Sequence, residues 1–422
     1  MVENGSEPNN TIGAFGFSSI LQNLDGFEDL SAMNVDFIVS GGSEASFLRL
    51  AEEYNLSVFA GGRTHSWWGD NGQNAGTYGD THAPEAIVAQ LAKARVSDSI
   101  VADYIVDEPS ALDYEAINEE FLVYSEAVEG KSFPFINLYP NYGKLYDPNN
   151  PEALSQLGTV TYQEYIDKYV EHMDLDYISF DNYPFGSEGS FKKYLQNLDE
   201  VASAARDNDM YMWVIIQTGQ WDGRTPINSE QLQWQMYLCM AYGTTSIIHA
   251  CYSPQWWGDS LSCVNAQGEK NPTYYMAQSA DREIRAMGDV FMEYDYLGTY
   301  GVGYEKNTAS NIQSQLISQN QRNAARDGFD GIDGITITSD AGCAVGCFEG
   351  KNKPEKKAVM LVNCRDPFNQ SDNTALTVTL SIGNGAAATA YEDGIATAYT
   401  ADANGNITVY VPTGEGVFVT ID

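Results

Sequence analysis

Eight short apolar runs, rich in β-branched and aromatic residues, recur along the first 250 residues, and segments with helical periodicity separate them. The runs span residues 12–17, 35–39, 56–60, 103–106, 133–138, 177–180, 211–216 and 245–250. Eight strands that alternate with helices are typical of an α/β fold, the (β/α)8 TIM barrel, in which parallel strands close into a ring. A doubly wound open sheet is the main alternative, but it normally carries a glycine-rich phosphate loop, and the sequence has neither G-x-G-x-x-G nor a P-loop.

The sequence pattern changes at about residue 295, where short runs of alternating apolar and polar residues begin, separated by clusters of turn-forming residues. This pattern predicts a C-terminal all-β sandwich. We therefore expect a barrel over 11–295 and an accessory sandwich over 296–422. Residues 1–10 are polar, and we expect a disordered tail that remains after removal of a signal peptide or a tag. The polar stretch 305–331 is expected to be an insertion or mobile loop, and Asn404-Gly405 a tight hairpin turn.

Charge and cysteine content restrict the possible partners. The chain carries 22 Lys and Arg against 58 Asp and Glu, a net charge of −36, whereas nucleic acids and anionic membranes need a basic face. No run of about 18 apolar residues predicts a membrane span. The six cysteines form no C-x-x-C pair, and Cys343 and Cys347 either pair or stay free. We expect no cofactor and no metal site, and a secreted, cell-surface or periplasmic bacterial location.

The fourth apolar run stops at two adjacent carboxylates, Asp107 and Glu108, followed by Pro109. Active sites of (β/α)8 barrels lie at the C-terminal ends of the strands, so this pair is expected at the barrel mouth. The other interpretation of this motif is a strand-end turn with solvated acids. A glycosidic oxygen is a poor leaving group and needs a proton from a carboxylic acid of raised pKa. Glu108 is therefore our candidate general acid.

The residues that follow the other strands are mostly indoles, phenols and amides. Five of the seven tryptophans fall on this predicted rim. Carboxylates, amides and indoles with few cations indicate a carbohydrate site, whereas a phosphorylated substrate would need more than the two obvious arginines, Arg63 and Arg224. The predicted substrate-binding residues are Arg63, His65, Trp67, Trp68, Asn137, Tyr139, Asn182, Tyr183, Gln217, Trp221, His249, Tyr252, Trp256 and Trp257.

The second catalytic group has three candidate sources. Asp181, after the sixth strand, would act as base or nucleophile. Asp107 would instead orient a substrate 2-acetamido group as an internal nucleophile, with Glu108 as the acid. A loop acid, Asp222 or Asp259, is the third source. The separation of the two carboxyls distinguishes retention, at about 5 Å, from inversion, at about 6.5–9.5 Å.

Several segments resemble known glycoside hydrolases. YISFDNYP at 177–184 is similar to the sixth-strand segment of family 42 β-galactosidases, and the barrel with its trailing sandwich resembles clan A, including families 42 and 5. Glu108 resembles the acid/base position of that clan, with Asp107 in place of its usual Asn. The seventh-strand Glu of the clan is missing, because the seventh run leads into Gln217 and Thr218.

The adjacent Asp107 and Glu108 also resemble the hexosaminidases of families 20 and 123. This resemblance implies that the Asp positions an acetamido group while the Glu acts as acid. Over most of the chain, segments such as TYQEYIDKYV, QLQWQMYLCMAYG and GEGVFVTI are similar to uncharacterised bacterial proteins identified as glycoside hydrolases.

The sequence thus predicts a bacterial glycoside hydrolase that cleaves a neutral or N-acetylated oligo- or polysaccharide. The alternative is a non-catalytic glycan-binding protein on a degenerate glycosidase barrel, which the missing seventh-strand Glu favours. A lyase or a metal-dependent barrel enzyme is a third hypothesis, and it predicts loss of activity on addition of a chelator.

Overall fold

A computed structural model describes residues 11–186, 191–304, 311–365 and 374–421 of the chain. The predicted N-terminal tail, 1–10, lies outside the described residues. All eight predicted barrel strands are present and pair in parallel. They are Thr11–Phe15 (β1), Phe37–Gly41 (β2), Ser57–Ala60 (β3), Ile100–Asp107 (β5), Phe133–Asn137 (β6), Tyr177–Asn182 (β7), Tyr211–Gln217 (β8) and Ser246–Ala250 (β9), with the two-residue strand Trp67–Trp68 (β4) added beside β5.

The ring of strands closes between β6 and β7. Each other neighbouring pair forms a ladder of several residues, whereas here a single parallel bridge joins Leu138 to Phe180, with the Leu138 N–H donating to the Ser179 carbonyl at 2.9 Å. The barrel interior is packed with aromatic rings, as the stack of Tyr177 on Trp213 at 4.3 Å shows. The prediction of a (β/α)8 barrel is confirmed, and its mouth is formed by the C-terminal ends of the strands.

Helices alternate with the strands and cover the outside of the barrel. In the described part of the chain they are Leu24–Ala32 (α1), Ala45–Glu53 (α2), Tyr78–Thr81 (α3), Ala86–Leu91 (α4), Tyr114–Val128 (α5), Tyr162–His172 (α6), Tyr194–Asp207 (α7), Ser229–Ala241 (α8), Pro272–Phe291 (α9) and Asn311–Arg326 (α10), with short 3-10 turns at Ser19–Leu21, Asp70–Gly72 and Asp259–Leu261. Local sequence fixes several starts: Asn228 and Gln231 form a reciprocal capping box at α8. Every described helix is too short or too polar to cross a bilayer.

The C-terminal strands form a two-layer antiparallel sandwich, as predicted. They are Tyr294–Val302 (β10), Thr336–Ser339 (β11), Cys343–Gly350 (β12), Lys353–Asn363 (β13), Leu376–Ser381 (β14), Ala387–Glu392 (β15), Ile395–Thr400 (β16), Asn406–Val411 (β17) and Gly416–Ile421 (β18). Among the described strands, one sheet has the order β10-β12-β13-β18-β15-β16 and the other β11-β14-β17. Val359, Val378 and Val409 pack between the sheets, whereas Phe348 and Phe418 belong to the core of the barrel.

Two sequence expectations about this half of the chain are wrong. The polar stretch expected to be a loop contains helix α10, whose buried amides bond to backbone groups: Gln315 accepts from the Leu195 N–H at 2.9 Å, and Gln319 donates to the Thr299 carbonyl at 2.6 Å. Asn404-Gly405 does not close a hairpin, because β16 and β17 lie in different sheets. Cys343 and Cys347, left open by the sequence, are free buried thiols.

Candidate active site

The acid pair lies at the end of β5, where the chain turns sharply. Asp107 is the last residue of β5, and Glu108 has a φ of +48°, in the left-handed region. Neighbours on a regular strand point to opposite faces, so this turn is what allows both carboxyls to approach one cluster. Gly69 packs against the turn. Its N–H donates to the Asp107 carbonyl at 3.0 Å, and a Cβ here would lie 1.9 Å from the Glu108 carbonyl oxygen, so only glycine fits.

Asn137, at the end of β6, joins the carboxyl of β5 to that of β7. Its Nδ2 donates to Asp181 Oδ1 at 3.0 Å and, more weakly, to Asp107 Oδ1 at 3.4 Å. Ser179 fixes the orientation of the amide, because its hydroxyl donates to Asn137 Oδ1 at 3.0 Å. Asn137 and Asp181 are buried. The structure therefore brings together all three carboxyls that the sequence proposed as catalytic.

Burial raises the pKa of each carboxyl in this cluster, and repulsion by neighbouring carboxylates raises it further at Asp181 and Glu108. Desolvation raises the pKa of Asp107 to about 6, against hydrogen bonds from Tyr104 and Asn137 that favour its charged form. Desolvation and then the charge of Asp107 raise the pKa of Asp181 to about 8. The pKa of Glu108 is raised well above its usual value by desolvation, and next by Asp181 and Asp107. Near neutral pH the cluster thus holds a carboxylate and a carboxylic acid side by side.

One indole contacts the candidate acid directly. Trp68 Nε1 donates to Glu108 Oε2 at 2.8 Å, and β4 places the indole there by pairing Trp68 with Asp107. Trp68 is 44% exposed, so the Glu108 carboxyl lies at the edge of an aromatic ring that is open to solvent. A half-exposed ring beside a carboxylic acid is an arrangement suited to stacking on the C–H face of a sugar.

A chain of aromatic contacts continues from the carboxyls along the barrel mouth. Tyr104 bonds to Asp107 and packs on Phe15 at 5.7 Å, and Phe15 packs on Trp256 at 5.6 Å. Trp257 then contacts Trp256 at 5.6 Å, Tyr183 at 5.2 Å and Trp221 at 4.4 Å. Trp256 is 41% exposed whereas Trp257 is buried. Of the predicted stacking residues, Trp68 and Trp256 present most surface to a ligand.

Several predicted binding residues have partners elsewhere in the fold. Arg63 forms an ion pair with Asp103 at 3.5 Å, and Asp103 also accepts a hydrogen bond from Tyr124 of α5. His65 lies 3.3 Å from Glu120 of α5. These contacts hold both side chains in the layer between the barrel and α5, where burial lowers the pKa of His65 to about 4 and keeps its ring neutral. Trp67 is buried and packs on Tyr78 at 5.4 Å.

The predicted polar residues on β7 and β9 also face the helices. Asn182 donates to Asn197 Oδ1 of α7 at 2.7 Å. His249 is fully buried between Thr218 Oγ1 and Asp281 Oδ1 of α9, each at 2.8 Å. These side chains alternate with inward-facing neighbours along their strands, and so they support the barrel instead of lining its mouth.

Three further predicted residues are buried supports of the mouth. Gln217 accepts from the Phe185 N–H at 2.8 Å and so fixes the loop after β7. Tyr139 is buried, and the charge of Glu108 contributes to raising the pKa of its hydroxyl. Tyr252 packs on Phe17 at 5.8 Å. The loop acids Asp222 and Asp259 are exposed and do not join the carboxyl cluster.

Three residues of the candidate site were not predicted. Tyr104 and Phe15 lie inside strands, where the sequence gives no sign that a ring faces the mouth. Tyr142, in the loop after β6, has its hydroxyl 3.3 Å from the Tyr183 N–H, and burial and the charge of Asp181 raise the pKa of this hydroxyl. The sequence signal that could have identified Tyr142 is its position, with Tyr139 and Asn141, directly after a predicted strand.

A cavity of about 410 Å³ lies at the opposite end of the barrel. Its lining includes Tyr211 and Met212 at the start of β8 and Tyr294 and Tyr296 of β10. None of the three clustered carboxyls borders it. Among the described residues, no group of three or more His, Cys, Asp or Glu side chains is arranged to hold a metal ion.

The chain is similar, at a low level, to several glycoside hydrolases of known structure. A glucosidase from Croceicoccus marinus is 10% identical, with 99% of this chain and 97% of that chain covered and a TM-score of 0.44. An endo-β-1,4-mannanase from Thermotoga petrophila is 11% identical, with 97% of this chain and 99% of that chain covered and a TM-score of 0.42. A family 51 arabinofuranosidase from Xanthomonas axonopodis pv. citri is 10% identical, with 94% of this chain and 89% of that chain covered and a TM-score of 0.41. No protein-family model and no curated protein matches the chain.

Proposed function

We propose that this protein is a glycoside hydrolase in which Glu108 is the general acid. The observation that carries the proposal is the convergence of Glu108, Asp107 and Asp181 at the barrel mouth, with the pKa of each raised by burial. Glycoside hydrolysis needs a protonated and an ionised carboxyl on either side of one bond. The exposed rings of Trp68 and Trp256 would stack on the sugar.

In the proposed reaction, protonated Glu108 gives its proton to the glycosidic oxygen as the bond to the anomeric carbon breaks. Asp107 has the lower pKa of the other two carboxyls, because Tyr104 and Asn137 stabilise its charged form. We assign to Asp107 the negative charge that faces the positive anomeric centre. It acts there directly, on a water molecule or on a substrate acetamido group. Asp181 shares Asn137 with Asp107 and holds the pKa of Glu108 high.

The test is hydrolysis of aryl glycosides and oligosaccharides by Glu108→Gln and Asp107→Asn. General acid catalysis contributes about 10²- to 10⁴-fold, so Glu108→Gln is expected to lose that factor on oligosaccharides. The loss should be much smaller with a nitrophenyl or dinitrophenyl leaving group, which needs no proton. Asp107→Asn should be inactive on both kinds of substrate.

Glu120→Gln is the matched control, because Glu120 is a buried carboxyl of raised pKa that lies on α5, next to His65. It should keep wild-type activity. Equal rates for Glu108→Gln and wild type on an oligosaccharide would disprove the assignment. Binding of oligosaccharides by wild type, without any hydrolysis, would identify the chain as a glycan-binding protein instead.

A further inference from the structure

A second cavity, of about 350 Å³, opens on the same face of the barrel as the carboxyl cluster. It lies between the loop after β6 and the starts of helices α6 and α7, and barrel helices start at the catalytic ends of the strands. Its lining residues include Asn141, Leu145, Val160 and Glu200. None of these belongs to the machinery assigned above.

Two oxygen acceptors in this lining have no hydrogen-bond partner in the described part of the chain. They are Asn141 Oδ1 and Glu200 Oε2, and both atoms are removed from solvent. Asn141 is 4% exposed, and its other side-chain atom, Nδ2, donates to the Lys193 carbonyl at 3.1 Å. Glu200 Oε1 accepts from Gln196 at 2.8 Å. Unpaired buried acceptors are unfavourable, and a ligand that donates hydrogen bonds would satisfy them.

The apolar part of the lining is open to solvent. Leu145 and Val160 are each 41% exposed. An apolar edge beside two hydrogen-bond acceptors matches the surface of a neutral sugar, which has C–H faces and a girdle of hydroxyl donors. Lys193 also lies in the lining, and its positive charge balances the carboxylate of Glu200, so the cavity suits a neutral ligand.

The cavity is next to the active site along the chain and in space. Asn141 precedes Tyr142, whose hydroxyl accepts from the Tyr183 N–H and lies within the electrostatic reach of Asp181. Tyr142 is itself 39% exposed. Tyr142 therefore lies beside the carboxyl cluster and directly follows a residue of the cavity lining, so a linear ligand that passes Tyr142 would reach from one to the other.

We propose that this cavity is an outer subsite that binds a neutral sugar unit of an oligosaccharide whose cleaved bond lies at Glu108. The proposal rests on the proposed function and deepens it. The substrate class becomes an oligo- or polysaccharide with at least one hydroxyl-rich unit beyond the bond that breaks. Asn141 and Glu200 accept from its hydroxyls, and Leu145 and Val160 contact its C–H face.

The experiment compares Glu200→Ala and the double variant Leu145→Ser/Val160→Ser with wild type. The substrates are nitrophenyl monosaccharides and a panel of cello-, manno-, xylo-, laminari- and chito-oligosaccharides of two to six units. We expect kcat/KM to fall about tenfold or more on the longer oligosaccharides and to stay unchanged on nitrophenyl monosaccharides, which do not reach the cavity. Leu122→Ser, at an exposed leucine of α5, is the control for loss of apolar surface.

Calorimetric titration of the same oligosaccharides into Glu108→Gln, with and without Glu200→Ala, separates this proposal from the proposed function. Weaker binding of oligosaccharides by Glu108→Gln/Glu200→Ala than by Glu108→Gln supports the subsite even if wild type hydrolyses nothing. Equal binding, or an equal loss of kcat/KM on short and long substrates, overturns the subsite while leaving the role of Glu108 intact. A cavity that holds only ordered water would give this second result.

Discussion

Trp68 donates its indole N–H to the carboxyl of Glu108 at 2.8 Å, so the ring that would hold the sugar also tunes the acid that would cleave it. This bond stabilises charged Glu108 and lowers its pKa, whereas burial and the neighbouring carboxyls raise it. The protonation state of Glu108 therefore depends on groups that can be removed one at a time.

Trp68→Phe should move the alkaline limb of the kcat/KM profile to higher pH, by about one unit. The substitution keeps an aromatic ring but removes a hydrogen bond to a charged group, which is worth about 1.5–3 kcal/mol. The raised pKa of Glu108 then keeps the acid protonated to higher pH. Trp256→Phe is the control, because Trp256 is similarly exposed and has no bond to a carboxyl among the described contacts. An unshifted limb in Trp68→Phe would contradict the assignment of that limb to Glu108.

Asp181→Asn should move the same limb in the opposite direction. The charge of Asp181 raises the pKa of Glu108, so its removal lets Glu108 ionise at lower pH. Activity should persist in acid and be lost earlier as the pH rises, as a pH series of kcat/KM would show. Complete inactivity at every pH would show that Asp181 is itself the base or nucleophile, and a shift to higher pH would contradict the effect assigned to its charge.

The stability of the protein should fall as the pH rises from 4 to 8, and Asp181→Asn should reduce this fall. The folded-state pKa of Asp181 is about 8, above the unfolded value near 4, so the folded state binds more protons over this range. Stability is then greatest at low pH and decreases by a few kcal/mol towards pH 8. Urea unfolding at both pH values measures the effect, with exposed Asp98→Asn as control. Parallel curves for wild type and Asp181→Asn would refute it.

Gly69→Ala should reduce activity at least a hundredfold, because a Cβ at this position overlaps the Glu108 carbonyl oxygen and displaces the turn that orients the acid. Gly61→Ala is a matched control in the loop after β3, since its nearest neighbour, Ser40 Oγ, would be 3.4 Å away. Circular dichroism and kcat/KM together test this prediction. A folded Gly69→Ala variant with wild-type activity would show that the turn is not needed.

The sequence predicted the barrel well because strands buried on both faces appear as continuous apolar runs. It did not predict a helix whose buried face is largely made of polar residues. In α10 the buried apolar residues are Ile312 and Leu316, and the rest of the buried face is formed by Gln315, Gln319 and Asn323, which bond to backbone groups. The apolar period is therefore too short to predict the helix. The two-residue strand β4 is too short to leave any pattern.

The candidate site was predicted in position but only partly in composition. Strand ends can be recognised from the sequence, and they gave Asp107, Glu108, Asn137 and Asp181. The face on which each side chain lies cannot be recognised in the same way, because one residue of register reverses it. His249 therefore seemed available to a ligand, although it is bonded to Asp281 of α9.

The core of the barrel does not stop where the sandwich begins. Phe291 of α9 packs on Phe348 and Phe418 at 5.2 and 5.4 Å, and Gln319 of α10 bonds to β10 while Gln315 bonds to the start of α7. The C-terminal strands are therefore not a detachable module. A chain truncated after α9 would expose an aromatic surface to water and is expected to aggregate, although every residue of the candidate site would still be present.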